Sequence, residues 1–248
     1  MNGDNYWNKL SNFLSTHDFD VIQFQEVFGN HTVVGNLNTQ IDCFEELKKL
    51  LKNTHKGELT IMQRYESNPA AYLANATFYK KEFTLTDINQ LTLHKNPRPF
   101  PKVPSGFESV GRNLLHLELT IHDKNISFLN AHLAWAKTPK EEPHQTKQGK
   151  ILLNYLKSVP APFVFTGDFN LDPNQPLIKK LNKFAKNLTT KNNVMTTLNP
   201  NTHRAKMLFP PGVAVDYIFV TPDLTVKHFE IIHEDLSDHL GLVVTIEI

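Results

Sequence analysis

The chain has 248 residues, 40% of them hydrophobic, which is enough apolar surface for one full core. Lysine and arginine total 26 against 25 aspartate and glutamate, so the formal net charge of +1 excludes a strong overall attraction to nucleic acid or anionic lipid. A single cysteine, Cys43, excludes an internal disulfide, and no apolar run is long enough to span a bilayer, so we expect one soluble, cytoplasmic, monomeric domain over residues 1–248.

The first part of the chain predicts two helices and three strands. Apolar residues at helical spacing indicate one helix near residues 7–14 and a second near 44–51. Short apolar runs indicate strands at 20–25, 59–64 and 71–79. Each helix is therefore followed by a strand.

The middle of the chain predicts a long loop and then a hairpin. Four prolines in residues 94–111 exclude a helix and a central strand, which indicates a surface loop. Alternating apolar residues at 115–121 and the run at 125–131 flank a turn at Asp123-Lys124. This pattern is typical of two antiparallel strands.

The last part predicts helices alternating with strands. The predicted helices are residues 147–156 and 177–184, and the predicted strands are 163–167, 215–220, 226–232 and 242–248. Hairpins mixed with helix-linked strands favour sheets covered by helices, an α/β (α+β) fold, over a uniform parallel barrel.

Polar residues cluster at the ends of several apolar, strand-like runs. The clusters are Gln25-Glu26, Asn130-Ala131-His132, Gly167-Asp168-Phe169-Asn170, Asp216 at the start of a strand, and Ser237-Asp238-His239. Each cluster alone has an ordinary explanation, such as a solvated Glu26, a structural His132 or an Asx turn at Asp168. Their joint occurrence at strand ends predicts one site.

Together and in this order, the clusters resemble the motifs of the endonuclease/exonuclease/phosphatase superfamily, with Ser237-Asp238-His239 before a closing strand as the most specific block. Asn130-Ala131-His132-Leu133 resembles the branch that holds deoxyribonuclease I, sphingomyelinases and tyrosyl-DNA phosphodiesterases. The resemblance implies a four-layer sandwich, in which two mixed β-sheets pack face to face and helices flank them. It also implies a divalent-metal-dependent hydrolase of phosphate esters.

The resemblance gives the acidic residues their expected roles. Glu26 and Asp238 are the expected ligands of Mg²⁺ or Mn²⁺, because these ions prefer oxygen donors. Asp168 is expected to orient or deprotonate the attacking water, and Asn170 to bind that water or a phosphate oxygen.

The remaining candidates are histidines and residues expected to bind substrate. Asp216 is expected to hydrogen-bond His239 and favour its charged form, and a protonated His132 is expected to assist the leaving oxygen. The substrate-binding candidates are Arg112, Asn113 and Asn130. A surface ion pair is the alternative for Arg112.

One motif of the superfamily is incomplete in this sequence. Its members begin with a strand that ends in Asn-x-Asn-Gly, whereas this chain opens Met1-Asn2-Gly3-Asp4. We expect the first core strand to be missing and the true start to lie upstream, because each buried backbone group left unpaired costs about 1–3 kcal/mol. A shortened version of a longer protein and a degenerate family member are the alternatives.

The sequence alone leaves the substrate class open. The favoured hypothesis is a phosphodiesterase or nuclease acting on DNA, RNA or nucleotide-like substrates. The alternatives are a phosphatase for phosphomonoesters, a sphingomyelinase-like phospholipid phosphodiesterase, and a binding module that has lost catalysis. Candidate nucleic-acid contacts are Lys95, Arg98, Lys102, Arg112, residues 201–206 and Trp135. Candidate lipid contacts are Phe100, Phe107 and residues 207–211.

Overall fold

The computed structural model describes residues 3–30, 42–65, 68, 70–94, 110–203 and 212–248. Most of the predicted proline-rich loop therefore lies outside the described residues, together with its basic and aromatic candidates. Residues 204–211 lie outside them as well. In the ranges that are described, no helix combines the length and the apolar character of a membrane span.

The described residues form five helices and eleven strands. The helices are α1 (Gly3–Thr16), α2 (Cys43–Leu51), α3 (Pro143–Leu156), α4 (Pro176–Leu181) and α5 (Leu188–Lys191). The strands are β1 (Val21–Gly29), β2 (His55–Arg64), β3 (Tyr72–Lys80), β4 (Thr84–His94), β5 (Arg112–Ile121), β6 (Lys124–His132), β7 (Phe163–Asp168), β8 (Lys186–Asn187), β9 (Asp216–Val220), β10 (Thr225–Ile232) and β11 (Gly241–Glu247). The predicted helices and the β5–β6 hairpin are confirmed.

Strand β4 was not predicted from the sequence. Irregularities in its pairing with β5, between Leu85 and Asp87 and between Thr92 and His94, interrupt the alternation of side chains. β4 is also the edge strand of its sheet, and most of its residues are exposed. The strand consequently lacks the strict apolar alternation that marks a half-buried strand.

The strands build two main sheets and one further pair. The larger sheet has the order β4-β5-β6-β7-β9-β8 and is mixed, because β6 and β7 run parallel while the other neighbours run antiparallel. The smaller sheet has the order β1-β3-β2, and β10 pairs with β11. Among the described strands, β1 pairs only with β3, and β11 pairs only with β10. The further core strand that we expect to precede Met1 stays a prediction.

The three largest apolar clusters of the described residues hold the layers together. The first lies between the sheets and joins β5, β6 and β9 to Tyr79 and to side chains of β10 and β11. The second lies between the outer face of the larger sheet and helices α3 and α4, and the third between the smaller sheet and helices α1 and α2. Each fully buried leucine or phenylalanine stabilises this packing by about 1.5–3 kcal/mol. The predicted fold class, two sheets flanked by helices, is confirmed.

A polar seam also crosses the space between the two sheets. Its members are Gln23, Gln25, Thr60, Asn75, Asn113, Asn130 and Thr166, and we refer to them as the inter-sheet seam. At its centre Asn130 of β6 is fully buried, accepts a hydrogen bond from Gln25 Nε2 at 2.7 Å, and donates to the carbonyls of Phe24 at 3.0 Å and Ala76 at 2.9 Å. One side chain thus links strands of both sheets.

The rest of the seam repeats this cross-linking on either side. Thr166 of β7 donates to Gln23 Oε1 at 2.7 Å. Asn113 of β5 donates to Thr60 Oγ1 at 3.0 Å, and Asn75 Nδ2 donates to Asn113 Oδ1 at 3.0 Å. Because buried polar groups are costly when unpaired, these bonds fix one relative position of the sheets.

We expect Asn130→Ala to lower the free energy of unfolding by about 2–3 kcal/mol, because the substitution leaves Gln25 Nε2 and two buried carbonyls without their partner. Urea denaturation followed by circular dichroism measures the change. Asn154→Ala, on the exposed side of α3, is the matched control and should change stability by less than about 0.5 kcal/mol. Equal effects in the two variants would show that the seam does not hold the sheets.

Candidate active site

The register of three neighbouring strands places three predicted site residues side by side. His132 is the last residue of β6 and is the direct partner of Asp168, the last residue of β7. Asp168 is in turn the partner of Asp216, the first residue of β9. One edge of the larger sheet therefore carries an imidazole and two carboxylates on adjacent strands.

Glu26 approaches the same edge from the smaller sheet. It lies at an irregularity of β1 between Phe24 and Val27 and has a positive φ of 55°, which interrupts the strand locally. Its Oε1 atom is 3.9 Å from Nε2 of His132. The preceding Gln25 belongs to the inter-sheet seam, so the position of Glu26 depends on the packing of the two sheets.

A tight turn follows Asp168 and shapes the floor of the site. Gly167 has a φ of 156°, and a Cβ atom there would lie 2.0 Å from the carbonyl oxygen of Ala131, so only glycine fits. Asp168 Oδ1 accepts a hydrogen bond from the backbone N–H of Asn170 at 2.8 Å. Asn170, with a φ of 54°, directs its Nδ2 atom to the carbonyl of Leu133 at 3.0 Å and towards His132 Nε2 at 3.3 Å.

The loop before β11 completes the site with a carboxylate–imidazole pair. His239 Nδ1 donates to Asp216 Oδ2 at 2.8 Å. Ligand atoms of Asp168, Asp216 and His239 all lie within 4.8 Å of one another. Burial lowers the pKa of His239, but Asp216, with Asp168 and Asp238, outweighs this effect and raises the pKa to about 10. His239 is therefore an imidazolium at neutral pH.

The pKa of His132 is shifted in the opposite direction to that of His239. It is 2% exposed, and its Nε2 atom is 3.6 Å from Asp168 Oδ2. Burial, and then the positive charges of Arg112 and His239, lower its pKa well below the ordinary value. His132 is consequently neutral, in contrast to the protonated form expected from the sequence.

Arg112 brings a buried positive charge to the site. It is 2% exposed, so the alternative of a surface ion pair is wrong. Its guanidinium donates to the carbonyl of Gly111 at 3.3 Å, while its Nε atom has no hydrogen-bond partner among the described residues. Burial lowers its pKa and the charges of Glu26 and Asp168 raise it, so the guanidinium lies in the field of both carboxylates.

The two central carboxylates are held in an unfavourable environment. Burial raises the pKa of Asp168, and Asp216 raises it further, against the opposing effect of His239. Glu26 keeps 54% of its side-chain surface exposed; desolvation by neighbouring protein groups raises its pKa, and Arg112 opposes this effect. Asp238 is exposed and adds a further negative charge near Glu26.

Besides His132, the structure departs from the sequence-based expectations at three residues. Asn113 and Asn130 were expected to bind substrate, but both are buried and their amides belong to the inter-sheet seam, which indicates a positioning role. His203 was considered only as part of a basic loop, yet its ring lies 5.2 Å from the ring of His239. The sequence carries no local signal for this contact, because 36 residues separate the two histidines.

Comparisons with known proteins agree with this architecture. The model of the family described as "Endonuclease/Exonuclease/phosphatase family" matches residues 1–239. This match confirms the family resemblance expected from the motifs. It also confirms the predicted class of enzyme, a hydrolase of phosphoric esters. No curated protein matches the chain.

Solved structures of several proteins are similar to the chain. An endonuclease/exonuclease/phosphatase from Bacteroides vulgatus has 22% identity and a TM-score of 0.70, with 98% of this chain and 90% of that chain covered. D. rerio TDP2 complexed with a single-strand DNA product has 18% identity and a TM-score of 0.68, with 100% and 94% covered. The mannosyl-6-phosphatase Bt3783 from Bacteroides thetaiotaomicron VPI-5482 has 16% identity and a TM-score of 0.68, with 99% and 91% covered. At these identities the similarity shows the fold.

We expect Asp168→Asn to stabilise the metal-free protein by about 1–2 kcal/mol at pH 8, because it removes a buried charge from beside Asp216. A carboxyl whose pKa is raised on folding costs stability above its unfolded pKa, so the gain should vanish below about pH 4 and grow as the pH rises. Urea titrations in EDTA at several pH values measure the difference. A variant less stable than the wild type at pH 8 would show that Asp168 is not under electrostatic strain.

Proposed function

The chain belongs to the endonuclease/exonuclease/phosphatase family, and on that basis we propose that it is a divalent-metal-dependent phosphodiesterase or nuclease for nucleic acid or nucleotide-like substrates. The observation that carries the proposal is the convergence of Glu26, His132, Asp168 and the Asp216–His239 pair.

The residues present fit a divalent cation. Ligand atoms of Asp168, Asp216 and His239 lie within 4.8 Å of one another, as do those of His203, Asp238 and His239. The pKa of Glu26 and of Asp168 is raised by burial and by neighbouring negative charge. A cation would relieve this repulsion, and carboxylate oxygens suit Mg²⁺ and Mn²⁺. Glu26 and Asp238 would hold the ion. When bound, it supplies positive charge to a phosphate oxygen.

Asp168 is suited to take a proton from the attacking water. The pKa of Asp168 is raised towards neutral pH, which makes its carboxylate a stronger base. Because Oδ1 accepts the hydrogen bond from the Asn170 N–H, Oδ2 is the oxygen that faces His132. Asn170 is held by the carbonyl of Leu133, so its side chain is fixed beside the reacting centre. Together the two residues can orient and activate one water molecule.

Arg112 and His239 supply the fixed positive charges that phosphoryl transfer requires. The guanidinium of Arg112 is desolvated and interacts with the charges of Glu26 and Asp168, so its positive charge can attract a phosphate to the same site. The imidazolium of His239, held by Asp216, can neutralise charge that grows in the transition state or protonate the leaving oxygen. Neutral His132 can contribute a hydrogen bond to the substrate.

Two observations support a substrate with a nucleobase. The side chain of Trp135, three residues beyond His132, is one of the few large apolar groups of the described residues that remain exposed, at 42%. Indole faces stack on nucleobases. The similar D. rerio TDP2 was crystallised with a single-strand DNA product. A phosphomonoesterase is the second candidate, supported by the similarity to the mannosyl-6-phosphatase.

A substrate panel tests the proposal. With Mn²⁺ or Mg²⁺ present we expect hydrolysis of single-stranded oligonucleotides and of bis(4-nitrophenyl) phosphate to exceed hydrolysis of sugar phosphates, and we expect EDTA to abolish it. Exclusive turnover of monoesters would support the phosphatase instead. Absence of turnover of any phosphate ester by a folded, metal-loaded protein would refute the proposed activity.

Substitution of the central residues should separate catalysis from folding. We expect Asp168→Asn and His239→Gln each to lower kcat by about two to four orders of magnitude, because each removes a proton-transferring or charge-stabilising group. The matched controls are Asp223→Asn and His228→Gln, which lie on exposed positions away from the site and should retain activity within about twofold. Steady-state kinetics and thermal melts are the measurements.

The raised pKa of His239 predicts the alkaline limb of the pH profile of kcat/KM. The rate should fall near pH 10 as His239 loses its proton. In Asp216→Asn, His239 loses the charge that raises its pKa, so the alkaline fall should move to lower pH. An unchanged alkaline limb in this variant would contradict the assignment of His239 as the essential acid.

A further inference from the structure

His203 lies on a turn that is hydrogen-bonded to the loop carrying Asp238 and His239. Leu198 forms a β-bridge with His239, and Asn199 N–H donates to the carbonyl of Asp238 at 2.9 Å. Thr202 Oγ1 donates to the carbonyl of Ser237 at 2.8 Å. His203 N–H donates to the carbonyl of Asn199 at 2.9 Å, which closes the turn.

Asn199 fixes the two segments as one unit. It is fully buried, and its Nδ2 atom donates to the carbonyl of Ser237 at 3.0 Å and to Asp235 Oδ1 at 3.2 Å. Asn201 Nδ2 donates to the same Asp235 oxygen at 2.9 Å. Backbone and buried side-chain hydrogen bonds therefore hold the segment that carries His203 next to the segment that carries Asp238.

The resulting cluster has the spacing of a cation site. Ligand atoms of His203, Asp238 and His239 all lie within 4.8 Å of one another. Two ligand atoms on opposite sides of a divalent ion, each at about 2.1 Å, are about 4.2 Å apart, so small side-chain adjustments suffice. His239 already uses Nδ1 in its bond to Asp216, whereas Asp238 is exposed at the mouth of the site.

We propose that His203 is a nitrogen ligand of the divalent ion held by Asp238, which gives the site a mixed carboxylate–imidazole donor set. The inference rests on the metal dependence in the proposed function and adds a ligand to it. Imidazole binds transition ions more favourably than Mg²⁺, whereas carboxylates bind Mg²⁺ and Mn²⁺ alike. His203 therefore biases the site towards Mn²⁺ and other transition ions.

Electron spin echo envelope modulation of bound Mn²⁺ tests this directly, because it detects nitrogen nuclei coordinated to the ion. The experiment uses the full chain as wild type, His203→Gln and His228→Gln, the last being a histidine on an exposed position of β10. We expect ¹⁴N modulation in the wild type and in His228→Gln, and its loss in His203→Gln. Labelling the wild type with ¹⁵N-histidine should replace the ¹⁴N signal.

Metal titrations supply a second readout. Calorimetry should show that His203→Gln weakens Mn²⁺ binding about tenfold while Mg²⁺ binding changes little, and that Asp238→Asn weakens both. Melting temperatures close to that of the wild type show that the variants are folded.

Two outcomes would overturn the role of His203 while leaving the proposed hydrolysis intact. One is Mn²⁺ bound to the wild type without nitrogen modulation. The other is modulation that persists in His203→Gln, which would assign the nitrogen to another histidine such as His239. If the folded wild type binds neither Mn²⁺ nor Mg²⁺, this inference fails together with the metal dependence of the proposed function.

Discussion

The site depends on the register of three strands. His132, Asp168 and Asp216 are direct partners across β6, β7 and β9, so backbone hydrogen bonds set their spacing. A slip of one residue in either pairing would turn the displaced side chains to the opposite face of the sheet. The register is in turn protected by buried apolar side chains on both faces of the larger sheet and by the inter-sheet seam. Packing energy therefore keeps mutually repelling groups together.

The charges of the site are balanced only in part within the chain. Arg112 and the imidazolium of His239 face the carboxylates of Glu26, Asp168 and Asp216, and burial still raises the pKa of the first two carboxyls. Such strain is common where a protein concentrates charge for catalysis. The phosphate ester and the divalent cation that we propose as substrate and cofactor would bring charges of both signs into this field and complete its compensation.

The sequence predicted those parts of the molecule that have local signals. Helical spacing and the Asp123-Lys124 turn were sufficient for four of the five described helices and for one hairpin, and the ordered motifs were sufficient for the family. Irregular pairing concealed β4, because its side chains do not alternate regularly. The seam role of Asn130 depends on how two sheets meet, and the contact of His203 with His239 depends on a β-bridge between distant segments. Neither is encoded by neighbours in sequence.

The central claim is that Asp168 and His239 act on one phosphate within one pocket. A double-variant comparison tests it most directly, with kcat measured for Asp168→Asn, His239→Gln and the combination on bis(4-nitrophenyl) phosphate at saturating Mn²⁺. If the residues serve the same transition state, the double variant should be slower than the slower single variant by no more than about threefold. Losses that multiply in the double variant would show that the two residues act independently, and would contradict the single-pocket account.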